Sequence, residues 1–281
     1  MGRLIAVGRA LGATVGFYLA VAGLALPALL FVPDRWATGT AGIVATAAVI
    51  VTSVVAVYAA QVRLGWASWG MIGVPRLGVG VRGLAVGTGI GAVMAMSTLA
   101  LAGLFGSASV SFTGEPLIAF LKEAVRLGLL LLLAALSEEL LFRGYPLARL
   151  SQTVGKVRGS MTLAVGFALA HLWNPDVSGM GLVNIGLASL VLSAAFFTPG
   201  GLAAAWGVHW GWNAGLALLA DAPVSGIRFE LPILEFSPGG PPWLTGGGFG
   251  PEGGLAATLA MISALAWLVR INARSREDRS P

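Results

Sequence analysis

Apolar runs of about 20 residues, the length a helix needs to cross a bilayer, recur along the whole of this 281-residue chain. That recurrence constrains the fold more than any single motif does. It predicts an all-α, polytopic transmembrane helix bundle of about eight spans, forming a single membrane domain over residues 1–281. Composition agrees: 57% of residues are hydrophobic and 10% charged, against about 25% charged in soluble domains. There is no cysteine, which rules out disulfides, thiolate metal ligands and a cysteine nucleophile.

The expected spans cover about 10–31, 40–60 and 84–105, then a fourth from near Glu115, then about 159–173, 180–197, 202–219 and 255–271. Helix-ending groups separate them, among them Pro33-Asp34-Arg35, Asn174-Pro175-Asp176 and Thr198-Pro199-Gly200. The first run is longer than the roughly 7–15 residues of a signal-peptide core, so it reads as an uncleaved span. Residues 61–82 mix Arg63, Arg76 and Arg82 with Trp66, Trp69 and Met71, the mark of an interfacial stretch. Gly106 to Pro116 reads as a polar loop, and 221–253 as a Gly/Pro-rich outer loop unable to form a regular helix. Gly87-Thr88-Gly89-Ile90-Gly91 lies inside a span and reads as a helix-packing surface, not a phosphate loop.

The pI near 10.4 does not indicate nucleic acid, because the 17 basic residues are spread over short loops. Their asymmetry predicts cytoplasmic N- and C-termini, and abundant Ala, Gly, Val and Arg points to a GC-rich bacterial genome and so to a bacterial inner membrane. Arg35, Arg228, Lys122 and Arg126 are left on the outer side, and Arg274, Arg276 and Arg279 form a basic tail. The bilayer itself is the first expected partner.

One stretch breaks the apolar pattern. The leucine run Leu127-Gly128-Leu129-Leu130-Leu131-Leu132-Leu133 leads into Ser137-Glu138-Glu139-Leu140-Leu141-Phe142-Arg143-Gly144. Ionised groups at membrane depth cost about 2.5 kcal/mol or more each, and mark function by default. The two histidines of the chain, His171 and His209, also fall within expected spans. If the fourth helix continues to about Arg149, Glu138 lies roughly 16 Å from the cytoplasmic turn. His171 lies roughly 18 Å from the same turn and His209 roughly 12 Å from the next, so all three can share a depth.

Spacing assigns faces. Glu139 and Arg143 are four apart with the acid first, the favourable order for an ion pair. Glu138 points about 100° away, towards a cavity. Phe167 lies one turn before His171, and Asn213 one turn after His209, while Gly207, Gly211 and Gly215 occupy roughly the opposite face of the His209 helix. A carboxylate, two imidazoles and an amide allow two mechanisms. Glu138 aided by His171 can activate water, with His209 and Asn213 as the oxyanion site. Alternatively, Glu138, His171 and His209 bind Zn²⁺, whose water attacks. No serine–histidine dyad stands out, and Asp34, Asp176 and Asp221 fall in outer loops.

Glu138-Glu139-x-x-x-Arg143, Phe167-x-x-x-His171 and His209-x-x-x-Asn213, in this order on separate spans, resemble the motifs of the CPBP family. These are the CAAX protease and bacteriocin-processing (Abi) intramembrane proteases, which include the type II CAAX prenyl endopeptidases. The resemblance covers about residues 117–220 as a catalytic core. It implies a metalloprotease in which Glu138 and His171 activate water, His209 and Asn213 form the oxyanion site, and Glu139, Arg143 and Phe167 support them. A peptide or membrane-protein segment is the implied substrate, and a bacterial source points away from a prenylated one. The rival readings are a non-catalytic immunity or scaffold protein and a proton-relaying transporter; no inverted repeat supports the latter.

Overall fold

A computed structural model describes residues 2–33 and 39–277. Asp34, Arg35 and Arg279 lie outside the described residues. The long helices are α1 (Gly2–Leu29), α2 (Gly39–Arg63), α3 (Leu77–Gly106), α4 (Leu117–Phe142), α5 (Tyr145–Val154), α6 (Lys156–Ala170), α7 (Gly179–Phe196) and α8 (Gly201–Ala220). The four-residue α9 (Pro242–Thr245) and α10 (Leu255–Glu277) complete the order. The chain is a multi-pass membrane helix bundle, with leucine, valine and isoleucine side chains such as Leu19, Val93, Val165 and Ile262 turned outward.

Five described helical stretches are long and apolar enough to cross a bilayer, at Leu4–Leu29, Gly39–Arg63, Trp69–Gly106, Gly179–Phe196 and Leu255–Arg274. This is fewer than the eight expected spans, for physical reasons. α6 has 15 residues, about 22 Å of helix against a hydrocarbon core of about 30 Å. α4 carries Lys122, Glu123, Arg126, Glu138 and Glu139, and α8 carries His209 and Asn213, so both are more polar than a plain span.

The fourth helix does not continue to Arg149. It ends at Phe142 with Arg143 as its C-cap, and α5 starts at Tyr145 with Pro146 in its first turn. Proline has no N–H to extend the preceding ladder but fits the first turn of a new helix. A side chain at Gly144 would press on the Leu140 carbonyl, so the break needs glycine there. The depth estimate therefore placed Glu138 correctly beside the histidines, but through a helix end that lies elsewhere.

α8 is fixed on both faces. On one, Gly207 and Gly211 pack against the Leu84 and Thr88 carbonyls of α3, while Gly87 and Gly91 of α3 meet the Ala204 and Val208 carbonyls in return. A Cβ at any of the four would overlap a backbone oxygen, so the two helices approach as closely as backbones allow. On the other, Trp206 Nε1 donates to Leu132 O at 2.8 Å and Trp210 Nε1 to Gly128 O at 2.9 Å, both on α4. Close approach behind and two indole clips in front set the rotation of α8, and with it the direction of His209.

The Gly/Pro segment is more ordered than its composition implies. Besides α9 and two short 3₁₀ turns, it supplies strand β2 (Leu234–Ser237), which pairs antiparallel with β1 (Ser109–Phe112) in the loop after α3. Its first residue, Asp221, accepts from Leu231 N at 2.7 Å. Burial pushes that carboxyl above its ordinary range, against the effect of the Leu231 N–H.

Candidate active site

Three helices bring the motif residues to one cavity of about 330 Å³. Glu138 comes from α4, His171 from the C-cap of α6, and His209 and Asn213 from one face of α8. All four line this cavity, together with Phe167. His171 was expected within a helix, but it sits just past the end of one, where the chain is already turning towards Asn174. That position frees the ring from the helix surface while its backbone stays anchored.

Glu138 Oε2 lies 3.8 Å from His171 Nε2 and 3.9 Å from His209 Nε2. Both separations exceed a direct hydrogen bond and suit a group bridging between acid and imidazole. The Glu138 side chain is about one-third exposed, and its Oε2 has no hydrogen-bond partner in the protein. The carboxylate is thus presented to the cavity, as its helical face predicts.

Each imidazole is held at its other nitrogen. His171 Nδ1 lies 2.7 Å from Phe167 O, and His209 Nδ1 lies 2.8 Å from Glu139 Oε1. A carbonyl and a carboxylate only accept, so each Nδ1 carries the proton and each Nε2 is turned to Glu138. The Phe167 ring packs against both, with centroids 4.6 Å from His171 and 6.2 Å from His209. The Arg143 guanidinium lies over the same ring at 4.4 Å.

The expected Glu139–Arg143 pair is present at 3.3 Å and fully buried. Its role is wider than the spacing implied, because the same Glu139 oxygen anchors His209. Arg143 also donates through Nη2 to Ser189 Oγ at 2.9 Å and Ser189 O at 3.3 Å, on α7. Ser189 carried no signal in the sequence, since a lone serine in an apolar helix is unremarkable. The chain Ser189–Arg143–Glu139–His209 thus joins three helices behind the site, and compensates a buried charge pair that would otherwise be costly.

The donor types suit Zn²⁺, with two imidazole nitrogens and a carboxylate. The arrangement does not complete a site: among the described residues, no group of three His, Cys, Asp or Glu side chains is placed to hold a metal ion.

A membrane helix bundle with acid, imidazole and amide side chains gathered at one internal cavity defines a class of membrane-embedded protein built for polar chemistry. Residues 120–215 match the family described as Type II CAAX prenyl endopeptidase Rce1-like. The matched stretch is the helical core from α4 to α8, and it contains all three motifs. No curated protein and no solved structure matches the chain.

Proposed function

We propose that the protein is an intramembrane endopeptidase that hydrolyses a peptide bond of a membrane-associated peptide or protein. The observation that carries this reading is the convergence of Glu138 with His171 and His209 at 3.8 and 3.9 Å. Glu138 is the general base. It takes a proton from a water positioned with His171 Nε2, and the hydroxide adds to the scissile carbonyl carbon. Asn213 and His209 receive the oxyanion. Glu139 holds Nδ1–H of His209 and balances the imidazolium, so that Nε2–H can donate. Collapse breaks the C–N bond, and Glu138 returns its proton to the leaving amine. The products are a new carboxylate and a new amine.

In a second reading Glu138, His171 and His209 hold Zn²⁺, and the facing Nε2 atoms are what favours it. Chelation separates the two. The basic residues support N- and C-termini on the cytoplasmic side of the membrane.

The test is cleavage in proteoliposomes of a library of membrane-anchored reporter peptides. Wild-type protein should cut a subset, while folded Glu138→Gln and His171→Ala should cut none. Full activity in both variants sinks the assignment.

A further inference from the structure

The segment joining α8 to α10 lies outside the matched family core, yet it forms one wall of the cavity. Val224, Ser225, Ile227, Phe229 and Glu252 all face the space that Glu138, His171 and His209 face. Asn174 Nδ2 holds this wall at Ser225 O, at 3.0 Å, and Glu252 ties it to the helices around it. Glu252 Oε1 accepts from Trp212 Nε1 at 2.6 Å, and its Oε2 accepts from the Ser225 backbone N–H. Its backbone is held as well: Asn184 Nδ2 of α7 donates to Glu252 O at 2.7 Å and to Gly254 O at 2.9 Å. Thr258 of α10 fixes that amide by donating to Asn184 Oδ1 at 2.7 Å.

Two further observations give Glu252 a bearing on the substrate. Trp212 lies three residues after His209 and directly before Asn213, so Glu252 grips the helical face that presents the oxyanion site. The charge is also uncompensated. Glu252 is 6% exposed, its side-chain partners above are neutral N–H groups, and no Lys or Arg is among the described residues lining the cavity. A carboxylate has about four lone-pair sites, so two remain after Trp212 and Ser225 are served. Held in a low-dielectric wall, that charge repels another carboxylate strongly.

We propose that Glu252 is a specificity-determining residue: it fastens the 221–254 segment as the cavity wall and gives that wall its negative charge. The site then takes an apolar peptide stretch with a neutral or cationic flank and turns away one bearing a carboxylate. Val224, Ile227 and Phe229 supply the apolar side of the match. This inference rests on the endopeptidase reading for its substrate, and on the hydrogen bonds of Glu252 for its selectivity.

The experiment measures binding, so that it does not depend on turnover. Three apolar peptides differing only in one residue, Phe, Lys or Asp, are titrated into detergent-solubilised Glu138→Gln protein by fluorescence anisotropy. The Asp peptide should bind at least about tenfold more weakly than the other two. That gap should shrink to within about twofold when Glu252→Gln is added. Trp212→Phe, which keeps the charge but cuts one tie, should weaken all three peptides while preserving the gap; it remains a test should Glu252→Gln fail to fold. Equal affinities for the three peptides, or a gap that persists in folded Glu252→Gln, overturn the proposal. Failure of wild-type protein to cleave any of these peptides in proteoliposomes would overturn the endopeptidase reading instead, leaving the charge preference to stand or fall by itself.

Discussion

His209 Nδ1 lies 2.8 Å from Glu139 Oε1, and the same oxygen is 3.3 Å from Arg143 Nη1. One buried carboxylate thus holds both the structural arginine and the imidazole of the site. Replacing Glu139 with Gln should therefore have two separable effects. It leaves Arg143 buried without its counter-charge, at about 3–5 kcal/mol, and it releases His209. The double variant Glu139→Gln with Arg143→Met should recover most of the stability in a thermal melt in detergent. Cleavage should stay depressed at least about 100-fold, because His209 has still lost its anchor. Recovery of both together would show that Glu139 serves the fold alone.

Glu138 is the opposite case. Its side chain meets the cavity, and its Oε2 bonds to no protein group. Glu138→Gln should leave the melting temperature within a degree or two of wild type. It should lower kcat by about 10²–10⁴-fold, the usual worth of a positioned general base. A large fall in stability would mean that the carboxylate supports the bundle and not the reaction.

Asn213 lies one turn beyond His209 on the same helical face and is 9% exposed. Asn213→Ala should lower kcat by about 10²–10³-fold with little change in KM, the signature of a donor used only as charge develops. An increase in KM at constant kcat would assign Asn213 to ground-state binding instead.

Removing metal provides the next test. If Glu138 and His171 activate the water directly, dialysis against a strong chelator should leave cleavage within about twofold of the untreated rate. Complete loss, restored by Zn²⁺ at one ion per chain, would place a cation between Glu138 and the two histidines.

The seam between α3 and α8 should be intolerant of side chains. A Cβ at Gly211 would overlap Thr88 O, and one at Gly91 would overlap Val208 O. Gly211→Ala and Gly91→Ala should each destabilise the bundle by about 1–3 kcal/mol, as overpacking does. Gly89→Ala should do nothing, since no atom lies within 4 Å of its added Cβ. Thermal melts of the three variants side by side check this.

The sequence alone determined the class of the protein and most of the candidate site. Long apolar runs dictate a helix bundle in lipid, and the cost of charge at that depth makes Glu138, Glu139 and Arg143 stand out. The four-residue spacings named the Glu139–Arg143 pair and the His209–Asn213 face correctly, because helical geometry is local. What lies across helices was not legible. The sequence does not record how far each helix is rotated about its axis, and that rotation is set by α3 glycines against α8 and by two tryptophans on α4 carbonyls. Only the tertiary structure decided that Glu139 also reaches His209, and that Ser189 holds Arg143. It also decided that Glu252, from a segment that reads as a mere Gly/Pro loop, closes the cavity wall. Local spacing fixes which side chains share a face; packing between helices fixes which faces meet.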